Sequence, residues 1–145
     1  MVRRIALGLV VALLLASGAQ AQQQPVRKLG PDAGMFLTFV KGDKTADFEA
    51  VMAKVKEGLL KSTKPERKQQ AAGWKVFKSA DPPVNGNVVY VLLINPSVKD
   101  ADYNVVQILI EEFPTEVQAL YTKYADSLAM GQNILNLALV SDFGK

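Results

Sequence analysis

The apolar pattern of this chain is densest at residues 87–94, a run that Asn85-Gly86 precedes and Asn95-Pro96 follows. Because the run is short and rich in β-branched residues, it predicts a strand rather than a helix. Its even and odd positions are both apolar, whereas a strand with one face in water alternates apolar and polar residues. We therefore expect a central strand that is covered on both sides.

Three further segments have strand patterns. Residues 35–41 are apolar on both faces, and residues 134–140 are apolar apart from Asn136. Residues 73–79 alternate and carry Lys75 and Lys78, which are typical of an edge strand that is protected from pairing. The loop at 81–86 predicts a hairpin between this edge strand and the central strand.

Two segments repeat apolar residues at the spacing of a helix. The first begins at Asp43 or Thr45 and ends near Ser62, and its apolar stripe consists of Phe48, Val51, Met52, Val55 and Leu59. The second follows the capping box Thr115-Glu116-Val117-Gln118 and repeats the same spacing up to Leu128. Both stripes predict packing faces. Residues 63–70 are polar and basic without this spacing, and we interpret them as a connecting loop.

Residues 101–113 fit two interpretations. Tyr103, Val106, Ile110 and Phe113 follow helical spacing, while residues 105–110 also form a continuous strand-like run. Asp100 and Asp102 suit the start of a helix, so we favour a helix. Whether this segment folds back as an extra layer over the sheet stays open.

The first residues have the pattern of a targeting signal. Arg3 and Arg4 precede an apolar stretch at 5–16, and Ala19-Gln20-Ala21 has the form of a cleavage site. This pattern predicts a signal peptide at 1–21 and a secreted or periplasmic bacterial protein without a membrane segment after cleavage. Residues 22–33 lack apolar periodicity and predict a disordered lead-in. Residues 34–145 then form a single α+β domain.

Charge and residue types exclude several kinds of function. Without Arg3 and Arg4 the chain has 15 Lys and Arg against 14 Asp and Glu, so nucleic acid is not an expected partner. It contains neither Cys nor His, which excludes thiol or imidazole catalysis, ordinary zinc or copper sites and haem ligation by these residues. We therefore predict no cofactor and no metal site.

Charge is also unevenly distributed along the chain. Residues 54–78 are mostly basic and residues 81–126 are mostly acidic. The two segments either form separate solvated surfaces or complement each other, within one subunit or between subunits.

The predicted order of elements is strand, helix, strand, strand, helix, strand. Over about residues 35–143 this order resembles the ferredoxin-like βαββαβ fold, an antiparallel four-stranded sheet with helices on one face. Within that fold it is similar to the dimeric α+β barrel group, which includes cofactor-free monooxygenases, haem-handling proteins and stress-response proteins. The resemblance implies a dimer with a pocket between sheet and helices. It transfers no catalytic residue, and the absence of His departs from the haem-handling members.

The number of apolar faces also predicts a homodimer. Two helices cover one face of a four-stranded sheet, yet the strands at 35–41, 87–94 and 134–140 are apolar on both faces. An apolar patch of that size is not usually left in water. A second copy that packs sheet against sheet would cover the open face.

Candidate ligand-binding residues are large side chains with polar tips. Trp74, Tyr90 and Tyr103 are suited to stacking on a flat ligand and bonding to it, and Asn95 to orienting a carbonyl group. Each has a structural alternative, namely core packing for the aromatic residues and a turn before proline for Asn95. The acidic residues Asp100, Asp102, Glu111 and Glu112 match no known calcium loop.

These observations leave three kinds of function open. The chain is interpreted first as a dimeric exported module that binds a small apolar or aromatic molecule or a partner protein. The alternative of a cofactor-free monooxygenase-like enzyme has no identifiable catalytic residue, so whether the protein is an enzyme stays undecided. The third interpretation is a structural module of the cell envelope without a ligand.

Overall fold

A computed structural model describes residues 25–145. The predicted signal peptide at 1–21, and residues 22–24 of the predicted lead-in, lie outside the described residues. The elements in chain order are β1 (Ala33–Lys41), a 3-10 turn (Gly42–Lys44), α1 (Thr45–Lys61), α2 (Pro65–Gly73), β2 (Trp74–Lys78), β3 (Asn87–Ile94), α3 (Val105–Glu112), α4 (Val117–Ser127) and β4 (Asn133–Leu137).

The four strands form one sheet in the order β2-β3-β1-β4, and every neighbouring pair is antiparallel. The α+β class and the four-stranded antiparallel sheet are therefore confirmed. β3 lies inside the sheet, as its apolar run predicts, and β2 with Lys75 and Lys78 lies at an edge. The hairpin between them turns at Asn85 and Gly86, whose φ angles of 51° and 77° suit a two-residue turn.

The last strand is shorter than predicted, because it ends at Leu137 rather than at residue 140. Leu137 pairs with Ala33, the first residue of β1. Before Ala33 the chain contains Pro31, which has no backbone N–H to extend the ladder. Residues 138–145 therefore continue outside the sheet.

One face of the sheet and the helices share a single core. Phe36, Val40, Leu92 and Ile94 from this face are buried with apolar residues of α1, α3 and α4. α1 contacts each of the other three helices. The alternation along β1 and β3 thus separates a helix-covered face from an open one.

Residues 101–113 belong to the helix-covered side. The preferred helix is observed as α3, and Ala101, Tyr103, Ile108 and Leu109 are buried in the shared core. Asn104 caps this helix, since its side-chain oxygen accepts hydrogen bonds from the backbone N–H groups of two following residues, at 2.9 and 3.3 Å. The segment is therefore not a second cover for the sheet.

Residues 65–73 correct the interpretation of a connecting loop, because they form helix α2. Pro65 occupies its first turn, where a missing N–H costs nothing, and Glu66 follows it. The residues that α2 buries are Arg67, Gln70 and Gly73. None of them is a large apolar residue, so the sequence shows no apolar stripe at helical spacing here. Polar contacts to neighbouring elements take the place of apolar packing.

The capping box predicted before α4 is not formed. Glu116 is the N-cap residue of that helix and its side chain makes no capping hydrogen bond. The helix itself is present at Val117–Ser127.

The described part of the predicted lead-in makes hydrogen bonds to the domain. The backbone N–H of Arg27 donates to Asp102 at 2.9 Å, and the carbonyl of Arg27 accepts from Tyr103 at 2.9 Å. The amide of Asn104 donates to the carbonyl of Pro25 at 2.8 Å. Residues 25–27 thus follow the loop that leads into α3.

The second face of the sheet, here named the open face, is apolar and carries no helix of the described chain. Strand register places its side chains directly opposite one another. They are half-buried or exposed, and they comprise Met35, Leu37, Phe39, Phe77, Val89, Val91, Leu93 and Leu135. Lys75 and Asn133 are polar members of this face, on the two edge strands.

Candidate functional site

A cavity of about 490 Å³ lies between α1, α2 and the edge strand β2. We name it the helical cavity. This volume lies within the range of roughly 300–1,000 Å³ that small-molecule sites usually have. Its walls are Met52, Ala53, Val55, Lys56, Leu59 and Leu60 from α1, Lys68, Ala71 and Ala72 from α2, and Trp74 and Val76 from β2.

The walls follow from the local sequence of each element. Val55 and Leu59 belong to the apolar stripe of α1, and they are buried. The cavity side of α2 carries Ala71 and Ala72, whose small side chains leave space against α1. A layer of larger apolar residues at these positions would fill such a space, as it does in a packed core.

The junction of α2 and β2 is held by close backbone packing. Gly73 ends α2, and its carbonyl accepts a hydrogen bond from the backbone N–H of Asn95 at 2.9 Å. A Cβ atom on Gly73 would lie 2.3 Å from the carbonyl oxygen of Pro96. Only glycine allows this approach, which places Trp74 at the inner end of the cavity wall.

Among the described residues that line the cavity, two lysines are charged. Lys56 lies on α1 and Lys68 on α2, and both are exposed. Within residues 25–145 neither of them forms an ion pair, whereas Lys54 and Lys64 pair with glutamates at 3.2 Å. The residues described as lining the cavity include no carboxylate. The local field is therefore positive next to an apolar interior.

Trp74 belongs to two cavities. It lines the helical cavity and also a small inner cavity of about 60 Å³, where Tyr103, Tyr124 and Arg27 are also found. Its ring meets the ring of Tyr103 edge-on, with centroids 5.5 Å apart. The indole N–H is buried and has no acceptor within the described residues. A buried donor without a partner costs about 1–3 kcal/mol, so the packing around the Trp74 ring must offset this cost.

The inner cavity contains polar and phenolic groups. Arg27 donates to the side-chain oxygen of Gln132 at 2.8 Å, and the Gln132 amide donates to the buried hydroxyl of Thr38 at 2.9 Å. Burial raises the pKa of Tyr124 to about 12, since the phenolate would lose its hydration there. Burial also raises the pKa of Tyr103, whose hydroxyl accepts the backbone N–H of Val98 at 2.8 Å.

Tyr90 lies elsewhere, in contact with α1. Its hydroxyl donates to Glu49 at 2.5 Å, and Lys78 donates to the same carboxylate at 3.2 Å. The hydrogen bonds from Tyr90 and Lys78 lower the pKa of Glu49. Burial and the Glu49 contact raise the pKa of Tyr90. Tyr90 also packs on Phe48 with centroids 4.7 Å apart, so it is a core residue with a bonded tip.

The four sequence-predicted site residues therefore separate. Trp74 and Tyr103 come together, and Trp74 alone of the four lines the helical cavity. Tyr90 and Asn95 line neither cavity. Asn95 directly follows the last residue of β3 and is exposed. Sequence reasoning did not identify Lys56 and Lys68 as site residues. The sequence does contain one indication of this part of the site. Pro65-Glu66 is a typical helix start, and it predicts that Lys68 lies on a helix.

Comparison with protein-family models, with curated proteins and with solved structures finds no match for this chain. Across residues 25–145, no helix has the length and apolar character that crossing a bilayer requires. The same residues contain no group of three or more acidic side chains arranged to hold a metal ion. The site is therefore interpreted from its own geometry.

Proposed function

We propose that this chain is an exported, dimeric binding module that holds a small apolar molecule in the helical cavity. The observation that carries the proposal is the cavity itself. It has a volume of about 490 Å³ and a mostly aliphatic lining, and it lies between two helices and a sheet edge. Apolar walls with a few polar groups are the usual composition of a ligand site.

The strand arrangement supports the ferredoxin-like part of this proposal. β1 and β2 are both antiparallel to β3, which lies between them, so they are parallel to each other. α1 and α2 lie in the connection from β1 to β2, as in a split βαβ unit. In this interpretation α2 is an addition to the basic fold, and it supplies one wall of the cavity.

The lining favours binding over catalysis. The described lining residues are aliphatic apart from Trp74 and the two lysines, and no acid and base pair is placed there. A cofactor-free monooxygenase-like enzyme is the alternative, and it would need a polar group directed at the reacting atom of its substrate. The polar groups of Tyr103 and Tyr124 lie at the inner cavity, whose volume of about 60 Å³ is near that of one or two waters.

Fluorescence of Trp74 tests the binding proposal directly. Trp74 is the only tryptophan of the chain and lines the cavity, so its emission reports occupancy without a label. Titration with decanol below its solubility limit should shift this emission and saturate. Ala53→Phe, which places a ring at the cavity wall, should weaken binding by roughly tenfold or more, about 1.4 kcal/mol.

Ala50→Phe is the matched control, because Ala50 lies one turn earlier on α1, is exposed and lines neither cavity. It should leave the titration unchanged. Absence of saturable binding in the unmodified protein would refute the proposal. Equal loss in both variants would place the ligand outside the helical cavity.

The open face supports the dimer. Its apolar side chains lie side by side across four strands, and burying each one fully is worth roughly 1.5–3 kcal/mol. Residues 101–113 pack on the helical side, so they do not compete for this face. A second copy presents the same apolar surface, and a two-fold axis lets both copies bury it at once.

Light scattering at micromolar concentration tests the dimer. We expect about twice the mass of the mature chain. Leu37→Glu on the interior strand β1 should give a folded monomer, because dimerisation would then bury an unpaired carboxylate in each sheet face. Tyr121→Glu, an exposed position on α4, is the control and should stay dimeric. A monomeric unmodified protein would contradict the proposal.

Export and cleavage belong to the same proposal. Intact mass of the protein recovered from the periplasm or medium of a bacterial host should correspond to a chain that starts near Gln22. Soluble protein that retains Met1 would contradict the signal peptide.

A further inference from the structure

We propose that the helical cavity selects an alkyl carboxylate, with its aliphatic chain inside the cavity and its carboxylate at Lys56 and Lys68. This inference rests on the proposed binding function and adds the chemical class of the ligand. It follows from three features of the site: the shape of its apolar groups, the position of its two lysines and the absence of competing acids in the described lining.

The apolar lining fits a flexible chain better than a flat ring system. Methionine, valine, leucine and alanine supply the apolar wall from α1 and α2, and Trp74 is the single aromatic residue among the described lining residues. A flat ligand would find only the Trp74 ring to stack on among the described lining residues, because Tyr103 contacts Trp74 on the side of the inner cavity. The unbranched side chain of Met52, which lines the cavity, can adapt its rotamer to a slender chain.

The lysines are positioned to bind an anion from both helices. Lys56 is on α1 and Lys68 is on α2, so they belong to different walls of the same cavity. Their aliphatic stems extend the apolar surface while the ammonium groups stay in water. A carboxylate at this boundary keeps part of its hydration and gains charge-assisted hydrogen bonds.

The neighbouring charges explain why these two lysines are available. Of the other lysines of α1 and the α1–α2 loop, Lys54 pairs with Glu57 at 3.2 Å and Lys64 with Glu111 at 3.2 Å, while Lys61 lies over the ring of Phe113, 3.7 Å from its centroid. Within residues 25–145, Lys56 and Lys68 have no such carboxylate. An external anion therefore displaces water only, and a ligand with a cationic head would be repelled by two like charges.

Three probes of equal chain length separate the parts of the inference. Decanoate, decanol and decylammonium are titrated against the full mature protein below their micelle concentrations, with Trp74 emission and calorimetry as readouts. We expect decanoate to bind at least several-fold more tightly than decylammonium. Added salt should weaken the binding of decanoate and leave the binding of decanol unchanged.

Substitution of the lysines gives the decisive comparison. Lys56→Gln and Lys68→Gln should each lower decanoate affinity by roughly two- to fivefold, as exposed charge pairs do, and the double variant by about tenfold. Decanol affinity should fall by less than decanoate affinity in each of them, so that the ratio of the two affinities changes. Lys123→Gln, an exposed lysine of α4 that lines neither cavity, removes the same charge and should leave both affinities unchanged.

The outcomes distinguish the two proposals. If decanol and decanoate bind and the lysine variants do not change their ratio, the cavity is a general apolar site and the carboxylate inference is wrong. If decylammonium binds as tightly as decanoate, the inference is also wrong. If none of the three probes binds, the proposed function itself fails.

Discussion

The guanidinium group of Arg67 contacts the carboxylate of Glu111, with Nη2 and Oε2 2.9 Å apart, and so connects α2 to α3. Arg67 is almost fully buried and also donates to Gln70 at 2.8 Å and to the carbonyl of Asp102 at 2.7 Å. This contact joins the basic segment 54–78 to the acidic segment 81–126 within one chain. It also holds α2, and with it one wall of the helical cavity.

Arg67→Met should destabilise the domain by roughly 1.5–3 kcal/mol, because it leaves the buried amide oxygen of Gln70 without its donor and removes the buried partner of Glu111, which keeps Lys64 and Gln107. Denaturant unfolding followed by Trp74 emission measures the loss. Lys64→Met is the matched control, since Lys64 contacts the same Glu111 from a mostly exposed position, and it should cost less than about 1 kcal/mol. Similar costs for both variants would contradict the role of burial.

Stability should fall in acid through Glu111. Burial alone would raise the pKa of this carboxyl, but hydrogen bonds from Arg67, Gln107 and Lys64 outweigh it and lower the pKa below its usual value of 4.5. A lowered folded-state pKa contributes stability that is present above about pH 4.5 and is lost as the pH falls through the folded-state value. The stability gap between the unmodified protein and Glu111→Gln should therefore shrink below that pH, whereas a constant gap would exclude this linkage.

Tyr124 should limit stability in alkali. Its pKa is raised from 10.0 to about 12 by burial, so the folded state holds the proton more tightly than the unfolded state. Its contribution is complete below about pH 10 and is lost as the pH rises towards 12. Tyr124→Phe should lose less stability over this interval, as unfolding curves and tyrosinate absorbance would show. Tyr121→Phe is the control for loss of a hydroxyl on α4, and identical alkaline curves for Tyr124→Phe and the unmodified protein would contradict the prediction.

Leu92→Ala should destabilise the domain by roughly 2–5 kcal/mol, because Leu92 is 1% exposed at the centre of β3 and the truncation leaves a cavity. Leu139→Ala, at a position that is 70% exposed after β4, is the control and should change stability by less than about half a kcal/mol. Thermal or denaturant unfolding gives both values. A small effect at Leu92 would mean that β3 is not the centre of the core.

Most of the fold could be predicted from the sequence because it depends on local periodicity. The apolar runs of β1 and β3, the stripe of α1 and the turn at Asn85-Gly86 each determine their element within a few residues. The helix at α3 was correctly favoured over a strand. These signals succeed because hydrophobic spacing directly reflects which side chains leave water.

The elements that failed depend on partners distant in the chain. α2 buries Arg67 and Gln70 rather than apolar residues, and their partners Glu111 and Asp102 come 44 and 32 residues later in the chain. β4 ends at Leu137 because of where β1 begins, which its own apolar sequence does not encode. A pattern of apolar spacing cannot register either effect, since both are polar or backbone contacts between separate segments.

The sequence by itself determined the class of elements, the apolar character of both sheet faces and the absence of thiol and imidazole chemistry. Tertiary structure alone decided that Trp74 lines the same cavity as Lys56 and Lys68, while Tyr90 and Asn95 do not. The physical reason is that a cavity is space left between elements. Its existence depends on the distances between α1, α2 and β2, and the sequence pattern of any one of these elements does not specify those distances.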